Sequence, residues 1–107
     1  MDIGRIDQLQ QMLKEDPGDQ FLRYAYALEL RSAGRTQEAL DHLRALIADA
    51  PEHVAAHHQL AITLGEVGSI NEAVTAARNG LRTAEAHGDR KAAGELRGFI
   101  EAIEDGK

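Results

Sequence analysis

Two stretches of this chain decide its fold: residues 17–39 read PGDQFLRYAYALELRSAGRTQEA, and residues 51–73 read PEHVAAHHQLAITLGEVGSINEA. The second stretch repeats the first at a spacing of 34 residues. A repeat of this period is typical of helix-turn-helix solenoids, in which each unit buries its apolar face by stacking on its neighbours. The period therefore favours a binding surface over a catalytic site. Six positions carry the same residue in both stretches: Pro17 and Pro51, Ala27 and Ala61, Leu30 and Leu64, Gly34 and Gly68, Glu38 and Glu72, and Ala39 and Ala73.

The composition predicts one small helical domain. A chain of 107 residues supports a single domain with one modest core. Hydrophobic residues make up 43% of the chain but aromatic residues only 4%, so the core must consist of leucine, isoleucine and alanine. The absence of cysteine excludes disulfides and thiolate metal sites and fits a reducing compartment, so we expect a cytoplasmic protein.

The charge balance argues against two classes of partner. Twelve basic and 18 acidic residues give a net charge of −6, which opposes the phosphate attraction on which nucleic-acid binding relies. No apolar run in the sequence suits a signal peptide or a membrane span. We therefore expect a soluble protein with no nucleic-acid and no membrane partner.

The apolar pattern predicts six helices. Apolar residues recur at three- and four-residue steps, and glycine, proline or a capping residue separates successive runs. The first helix is predicted over about 3–15 and is ended by Pro17 and Gly18. The second lies between Asp19 and Gly34, the third between Thr36 and Pro51, and the fourth between His53 and Gly68. Asp89 precedes the sixth helix.

The fifth helix is predicted to begin with a capping box and to end later than the third helix does. Ser69 and Glu72 have the spacing of a capping box, in which each side chain bonds the other residue's backbone N–H. No proline occupies position 85, so the helix should run on to Gly88 and be longer than the third helix.

The offsets of the small residues within each unit resemble those of the tetratricopeptide repeat. The resemblance implies an all-α, right-handed helix-turn-helix solenoid of about six antiparallel helices. It divides the chain into a partial repeat helix (1–19), repeat 1 (20–53), repeat 2 (54–87) and a C-terminal capping helix (88–107). Tyr26, Ala27, Leu30, Gly34, Ala39 and Pro51 stand at the signature positions of repeat 1, and Leu60, Ala61, Leu64, Gly68 and Ala73 at those of repeat 2.

In that family the first helix of each unit lines a concave groove, and this implies where a partner would bind. Carried over by position, the expected contact residues are Phe21, Tyr24, Leu28 and Arg31 in repeat 1 and His58, Ile62 and Glu66 in repeat 2, with Ala55 beside them. Aromatic and arginine side chains often anchor interfaces. Packing of Phe21 and Tyr24 against the first helix or against solvent-facing neighbours is the alternative interpretation.

We therefore expect a non-enzymatic scaffold that binds a peptide or protein segment and has no cofactor. Some family members grip a terminal carboxylate with lysine and asparagine, but here Tyr24 and Leu28 occupy the first pair of those positions. The sequence thus favours side-chain anchors over a carboxylate clamp. The rival hypothesis is a weak homo-oligomer that associates through apolar side chains of its end helices, at Ile3, Ile6, Phe99 or Ile103.

Three histidines suggest a remote alternative function, metal binding. His53 and His57 are one helical turn apart with His58 beside them, a spacing that could hold a metal ion. No catalytic residue is predicted, because the scattered hydroxyls are better explained as turn or cap residues. Four glycines fall inside predicted helices, where they either allow close helix contact or mark local softness: Gly65, Gly80, Gly94 and Gly98.

Overall fold

A computed structural model describes residues 3–106, with side chains from residue 4 onward. These residues form six α-helices, and no strand occurs among them, so the all-α prediction is confirmed. The helices are α1 (Ile3–Glu15), α2 (Gln20–Ser32), α3 (Thr36–Asp49), α4 (Val54–Glu66), α5 (Ile70–Ala86) and α6 (Arg90–Asp105). With 17 residues, α5 is longer than the 14-residue α3, as the missing proline predicts.

Three of the turns between helices share one construction. Gly34, Gly68 and Gly88 have φ angles of 81°, 84° and 70°, a left-handed conformation that costs glycine least. At Gly34, the backbone N–H of Arg35 donates to the carbonyl of Leu30 at 2.9 Å, which closes the end of α2. The N–H of Gly34 itself donates to the carbonyl of Arg31 at 3.0 Å. Two bonds of the same kind occur at each of the other two glycines, so each glycine reverses the chain within a few residues.

Acidic side chains cap two helices as predicted. An oxygen of Asp19 accepts from the backbone N–H of Leu22 at 2.9 Å, and Asp89 accepts from Ala92 at 3.0 Å. Each bond satisfies one of the N–H groups that a helix start leaves without a partner. These two caps place the starts of α2 and α6.

The predicted capping box at the start of α5 is wrong. Ser69 is the N-cap residue, but its hydroxyl makes no capping hydrogen bond. The reason lies in the preceding turn, where the backbone N–H of Ser69 donates to the carbonyl of Leu64 at 2.9 Å. A capping box needs that same N–H for the glutamate three residues later, so the two arrangements exclude each other.

The chain divides into two compact units, here called unit 1 (residues 1–50) and unit 2 (residues 51–107). In unit 1, α2 packs against both α1 and α3. Leucine, isoleucine and tyrosine fill the space between these helices, which leaves α2 with one face free of both neighbours. The core cluster of this unit consists of Ile6, Leu9, Leu22, Tyr26, Leu30 and Ala39, with Leu13 and Ala25 packed against it.

In unit 2, α5 packs against α4 and α6, and a glycine allows the close approach. A Cβ atom added at Gly80 would lie 2.9 Å from the Cβ of His57 and 3.3 Å from a methyl group of Leu96. Gly65 has a similar but looser role, because an added Cβ would lie 3.6 Å from the ring of Phe99. The buried apolar residues of unit 2 are Ala56, Ala61, Leu64, Ala73, Ala76, Ala77, Ala84, Ala93, Leu96 and Ile100.

The end helices use much of their apolar surface inside the units. Ile6 is 8% exposed and belongs to the core of unit 1, so the prediction that it offers surface for self-association is wrong. Phe99 and Ile103 are half-buried, and both lie next to Gly65 of α4. The side chain of Ile3 lies outside the described residues.

Candidate functional site

One face of α2 carries the four residues that the sequence assigns to binding in repeat 1. Phe21, Tyr24, Leu28 and Arg31 follow one another at steps of three, four and three residues, so they form a single stripe along the helix. Phe21 is 75% exposed, the most of any large apolar side chain in the described part of the chain. The other three are half-buried. The exposure of Phe21 contradicts the alternative that its ring packs against neighbouring side chains, whereas for Tyr24 both interpretations stay open.

Tyr26 helps to hold α2 in the orientation that turns this stripe outward. Its hydroxyl accepts a hydrogen bond from the side-chain amide of Gln10 on α1 at 3.0 Å. On the other side, its ring meets His42 of α3 edge to face, with ring centres 4.9 Å apart. Such aromatic contacts add to the stabilisation from burial. One side chain thus ties α2 to both of its neighbours in unit 1.

Two ion pairs reinforce that orientation. Arg23 of α2 pairs with Asp49 of α3 at 2.9 Å, and Arg5 of α1 pairs with Glu29 of α2 at the same distance. In each pair one side chain is exposed and the other half-buried, and ion pairs near the surface contribute little to stability, about 0–1 kcal/mol each. The two ion pairs matter for orientation, because they fix which side of α2 faces α1 and which side faces α3.

The corresponding face of α4 is less exposed. His58 and Ile62 are half-buried, and Glu66, one turn further on, is exposed. The three residues are four positions apart and therefore share one side of the helix. The opposite side carries Ala56, Ala61 and Leu64, which are buried in unit 2.

The structure assigns two of the clustered histidines to other tasks. The Nδ1 atom of His53 accepts from the backbone N–H of Ala56 at 3.1 Å and caps α4. His57 is 6% exposed, and its Nε2 atom lies 2.8 Å from the carbonyl oxygen of Pro51, to which it donates. Within the described residues no three histidine, aspartate or glutamate side chains converge as metal ligands would.

Met12 is an exposed apolar residue that the helical pattern does not predict to be exposed. The helical pattern places Met12 among the inward-facing positions of the first helix, but its side chain is 47% exposed. Leu46, 34 residues later in α3, is fully buried. A signal was available, because the resemblance makes α1 the second helix of a partial repeat. Leu46 lies on α3, which packs against α2 of the same repeat, whereas α1 has no such partner among the described helices.

The resemblance is confirmed by comparison with known families. Residues 1–84 match the profile of the family described as tetratricopeptide repeat. The chain belongs to the tetratricopeptide repeat family. A TPR repeat-containing protein of Pseudomonas aeruginosa is 27% identical over 99 residues, which cover 92% of this chain and 94% of the relative.

Solved structures agree with the assignment to the tetratricopeptide repeat family. The solution structure of a Bordetella parapertussis protein is 27% identical with a TM-score of 0.83, and the match covers 94% of this chain and 87% of the other. The TPR2B domain of yeast Sti1, solved as a complex with pHsp70, has a TM-score of 0.87 at 17% identity, over 95% of this chain and 82% of the other. The second likeness concerns the fold alone.

Membership of this family gives a general class of function. Tetratricopeptide repeats generally mediate protein–protein interaction, and the family and its fold typically serve as non-enzymatic scaffolds. None of the helices in the part of the chain that the structure describes has both the length and the apolar character that crossing a membrane requires.

Proposed function

We propose that this tetratricopeptide repeat protein is a non-enzymatic scaffold that binds a peptide or protein segment in the concave groove of its fold. The contact residues in unit 1 are Phe21, Tyr24, Leu28 and Arg31 of α2, and those in unit 2 are His58, Ile62 and Glu66 of α4. We also propose that it acts in the cytoplasm, which the cysteine-free sequence supports.

The exposure of Phe21 is the observation that carries this proposal. A phenylalanine side chain gains about 2–3 kcal/mol of favourable transfer free energy when it leaves water, and here three quarters of that surface stays in contact with solvent. Phe21 lies on the stripe that the family uses for binding, so contact with a partner would explain why its side chain is exposed. Aromatic side chains are over-represented among the residues that dominate binding energies.

The kind of recognition follows from the residues of the stripe. Tyr24 and Leu28 offer half-buried aromatic and aliphatic surface, so a bound segment would be anchored by its side chains. A structural neighbour, the Sti1 domain, was solved bound to pHsp70, which supports segment binding by this fold without naming the partner of this chain.

The experiment is an affinity capture from native lysate, read by mass spectrometry, that compares the unchanged protein with two variants. Phe21→Ala removes the exposed anchor, and Val67→Ala is the matched control, because Val67 is also exposed, at 44%, but lies off the stripe. We expect a partner that Phe21→Ala loses and Val67→Ala keeps. Once that partner is purified, its affinity should fall about 30-fold for Phe21→Ala, the effect of an anchor worth about 2 kcal/mol.

Equal capture by all three proteins would contradict the proposal. Self-association is the competing function, and sedimentation equilibrium separates the two, because only that hypothesis requires dimers at high protein concentration. The burial of Ile6 and the contacts of Phe99 and Ile103 within unit 2 remove much of the surface on which that hypothesis depends.

A further inference from the structure

Exposed apolar surface lies on both sides of the turn between α1 and α2. Met12 is 47% exposed and Phe21 is 75% exposed, and no other large apolar side chain described in unit 1 is exposed. Arg5 of α1 pairs with Glu29 of α2, which sets the register of the two antiparallel helices. In this register Met12, seven residues after Arg5, lies opposite Leu22, which is seven residues before Glu29. Leu22 is the neighbour of Phe21 in the sequence, so Met12 and Phe21 lie at the same level of the helix pair.

Acidic side chains border this apolar surface. Glu15 is three residues after Met12 and so lies on the same side of α1. Asp16 directly follows the helix, and its backbone N–H donates to the carbonyl of Met12 at 3.0 Å. Asp19 stands two residues before Phe21. We call these three acids together with Met12 and Phe21 the turn patch. The basic residue of this segment, Lys14, lies elsewhere, in a cleft that it lines with Gln10, Leu13 and Tyr26.

Folding explains only one of the three acids. Asp19 caps α2. Glu15 is the last residue of α1 and Asp16 follows it, where the partial negative charge of the last carbonyls makes a carboxylate unfavourable. Lys14 is the one cation in the last turn of α1, and neither Glu15 nor Asp16 has a side-chain hydrogen bond or an ion pair within the described part of the chain.

We propose that the segment bound by this protein is basic, with lysine or arginine beside an apolar anchor, and that it docks on the turn patch. Its apolar side chain covers Met12 and Phe21, and its cations pair with Glu15 and Asp16. The proposal rests on the proposed function and adds the chemistry of the partner. Acidic segments would be repelled at this surface, because like charges across an interface cost binding energy.

The first test selects ligands from random peptides, so it works before the natural partner is identified. A phage library of random dodecapeptides is panned on the unchanged protein and in parallel on Phe21→Ala, and both enriched pools are sequenced. We expect peptides enriched only on the unchanged protein, with lysine or arginine next to an aromatic or large aliphatic residue. Enrichment of neutral or acidic Phe21-dependent peptides overturns this inference but leaves the proposed function standing. No Phe21-dependent peptide overturns both.

The second test measures the charges directly with the most enriched peptide, labelled for fluorescence anisotropy. The double variant Glu15→Gln/Asp16→Asn should weaken binding about five- to tenfold. The matched control Glu95→Gln/Glu101→Gln removes the same net charge from the exposed side of α6 and should change affinity less than twofold. Equal weakening by both variants, or by neither, overturns the inference.

A salt titration of the unchanged protein needs no variant. Because the proposed pairs lie at an exposed surface, raising ionic strength from about 50 to about 300 mM should weaken binding of the same peptide several-fold. Affinity that is independent of salt overturns the inference. Circular dichroism of each variant confirms that its helices are retained, which separates a loss of binding from a loss of fold.

Discussion

His57 is a polar side chain that serves the fold from inside unit 2. The residue is 6% exposed, and its ring donates a hydrogen bond to the carbonyl of Pro51, which satisfies a backbone group before α4 begins. Its Cβ faces Gly80 across the contact with α5. The residue therefore joins the loop before α4 to the core of the unit.

Replacing His57 by leucine should be destabilising. The substitution keeps the apolar bulk but leaves the Pro51 carbonyl without its partner, which costs about 1–3 kcal/mol of the free energy of unfolding. Urea unfolding followed by circular dichroism measures the change. His87→Ala is the control, because the Nδ1 atom of His87 also donates to a backbone carbonyl, that of Thr83 at 2.8 Å, but at an exposed site, where its loss should cost less than about 0.5 kcal/mol. Equal stabilities of the two variants would contradict the assigned role.

Glu38 gives unit 1 a small dependence on pH. Hydrogen bonds from Arg35, at 2.7 and 2.8 Å, hold the pKa of the Glu38 carboxyl below its ordinary value. A carboxyl whose pKa is lower in the folded than in the unfolded state stabilises the fold above its unfolded pKa, and that stabilisation is lost as the pH falls through the folded pKa.

Glu38→Gln should therefore lower the free energy of unfolding at pH 7 and have less effect as the pH falls from about 5 to about 2. The effect is small, because both side chains are well exposed to solvent. Denaturant melts at several pH values measure it, with Arg35→Gln as the second arm of the comparison. A difference from the unchanged protein that stays constant down to about pH 2 would show that the pair is not its cause.

The role of a single residue could be predicted from the sequence where its side chain had one available partner. Asp19 and Asp89 cap their helices as expected, because a carboxylate can reach the free N–H groups of the helix that follows. The Ser69 prediction failed because a backbone bond across the turn competes for the same N–H. Nor could the sequence show that Phe21 is exposed, since that depends on how α2 is rotated against α1 and α3.

At the scale of the helix, glycines inside α5 and α6 have opposite roles. Gly80 of α5 lies where an added Cβ would meet His57 at 2.9 Å, whereas Gly98 of α6 has nothing within 4 Å of an added Cβ. The sequence left open whether these glycines allow contact or mark softness, since neighbours in space do not appear in it. The structure assigns contact to Gly80 and to Gly65, and none to Gly94 or Gly98.

Alanine at these two glycines should change stability in opposite directions. Gly80→Ala should destabilise by about 1–2 kcal/mol, because overpacking outweighs the gain in helix propensity. Gly98→Ala should stabilise by about 0.5–1 kcal/mol, because it gains that propensity with no clash. Thermal and urea unfolding of both variants give the comparison. Stabilisation by Gly80→Ala would mean that α4 and α5 are not in close contact at this position.

Helix boundaries were the most predictable part of the fold. Glycine is almost alone in tolerating positive φ, so Gly34, Gly68 and Gly88 marked turns that no other residue would form as easily. The inward or outward orientation of apolar residues was harder, as Met12 and Ile6 show. Which side of a helix is covered depends on its neighbours, and the end helix α1 has fewer of them than a helix within the repeats.

For the whole molecule, the family defines the class of function and the surface suggests the partner. The chain belongs to the tetratricopeptide repeat family, whose members generally mediate protein–protein interaction. The net charge of −6 supports the prediction that nucleic acid is not its partner. Whether the chain acts as a single domain with the repeat boundaries given above stays a prediction.

The most direct test of the central claim, that the Phe21 face of α2 binds a protein partner, is site-specific photo-crosslinking in native lysate. A benzophenone amino acid replaces Phe21, whose aromatic character it keeps, or Val67 as the control, and mass spectrometry identifies the adducts formed on irradiation. We expect one dominant adduct from position 21 that is absent from position 67 and is suppressed by excess unlabelled protein. The same adducts from both positions, or none from position 21, would contradict it.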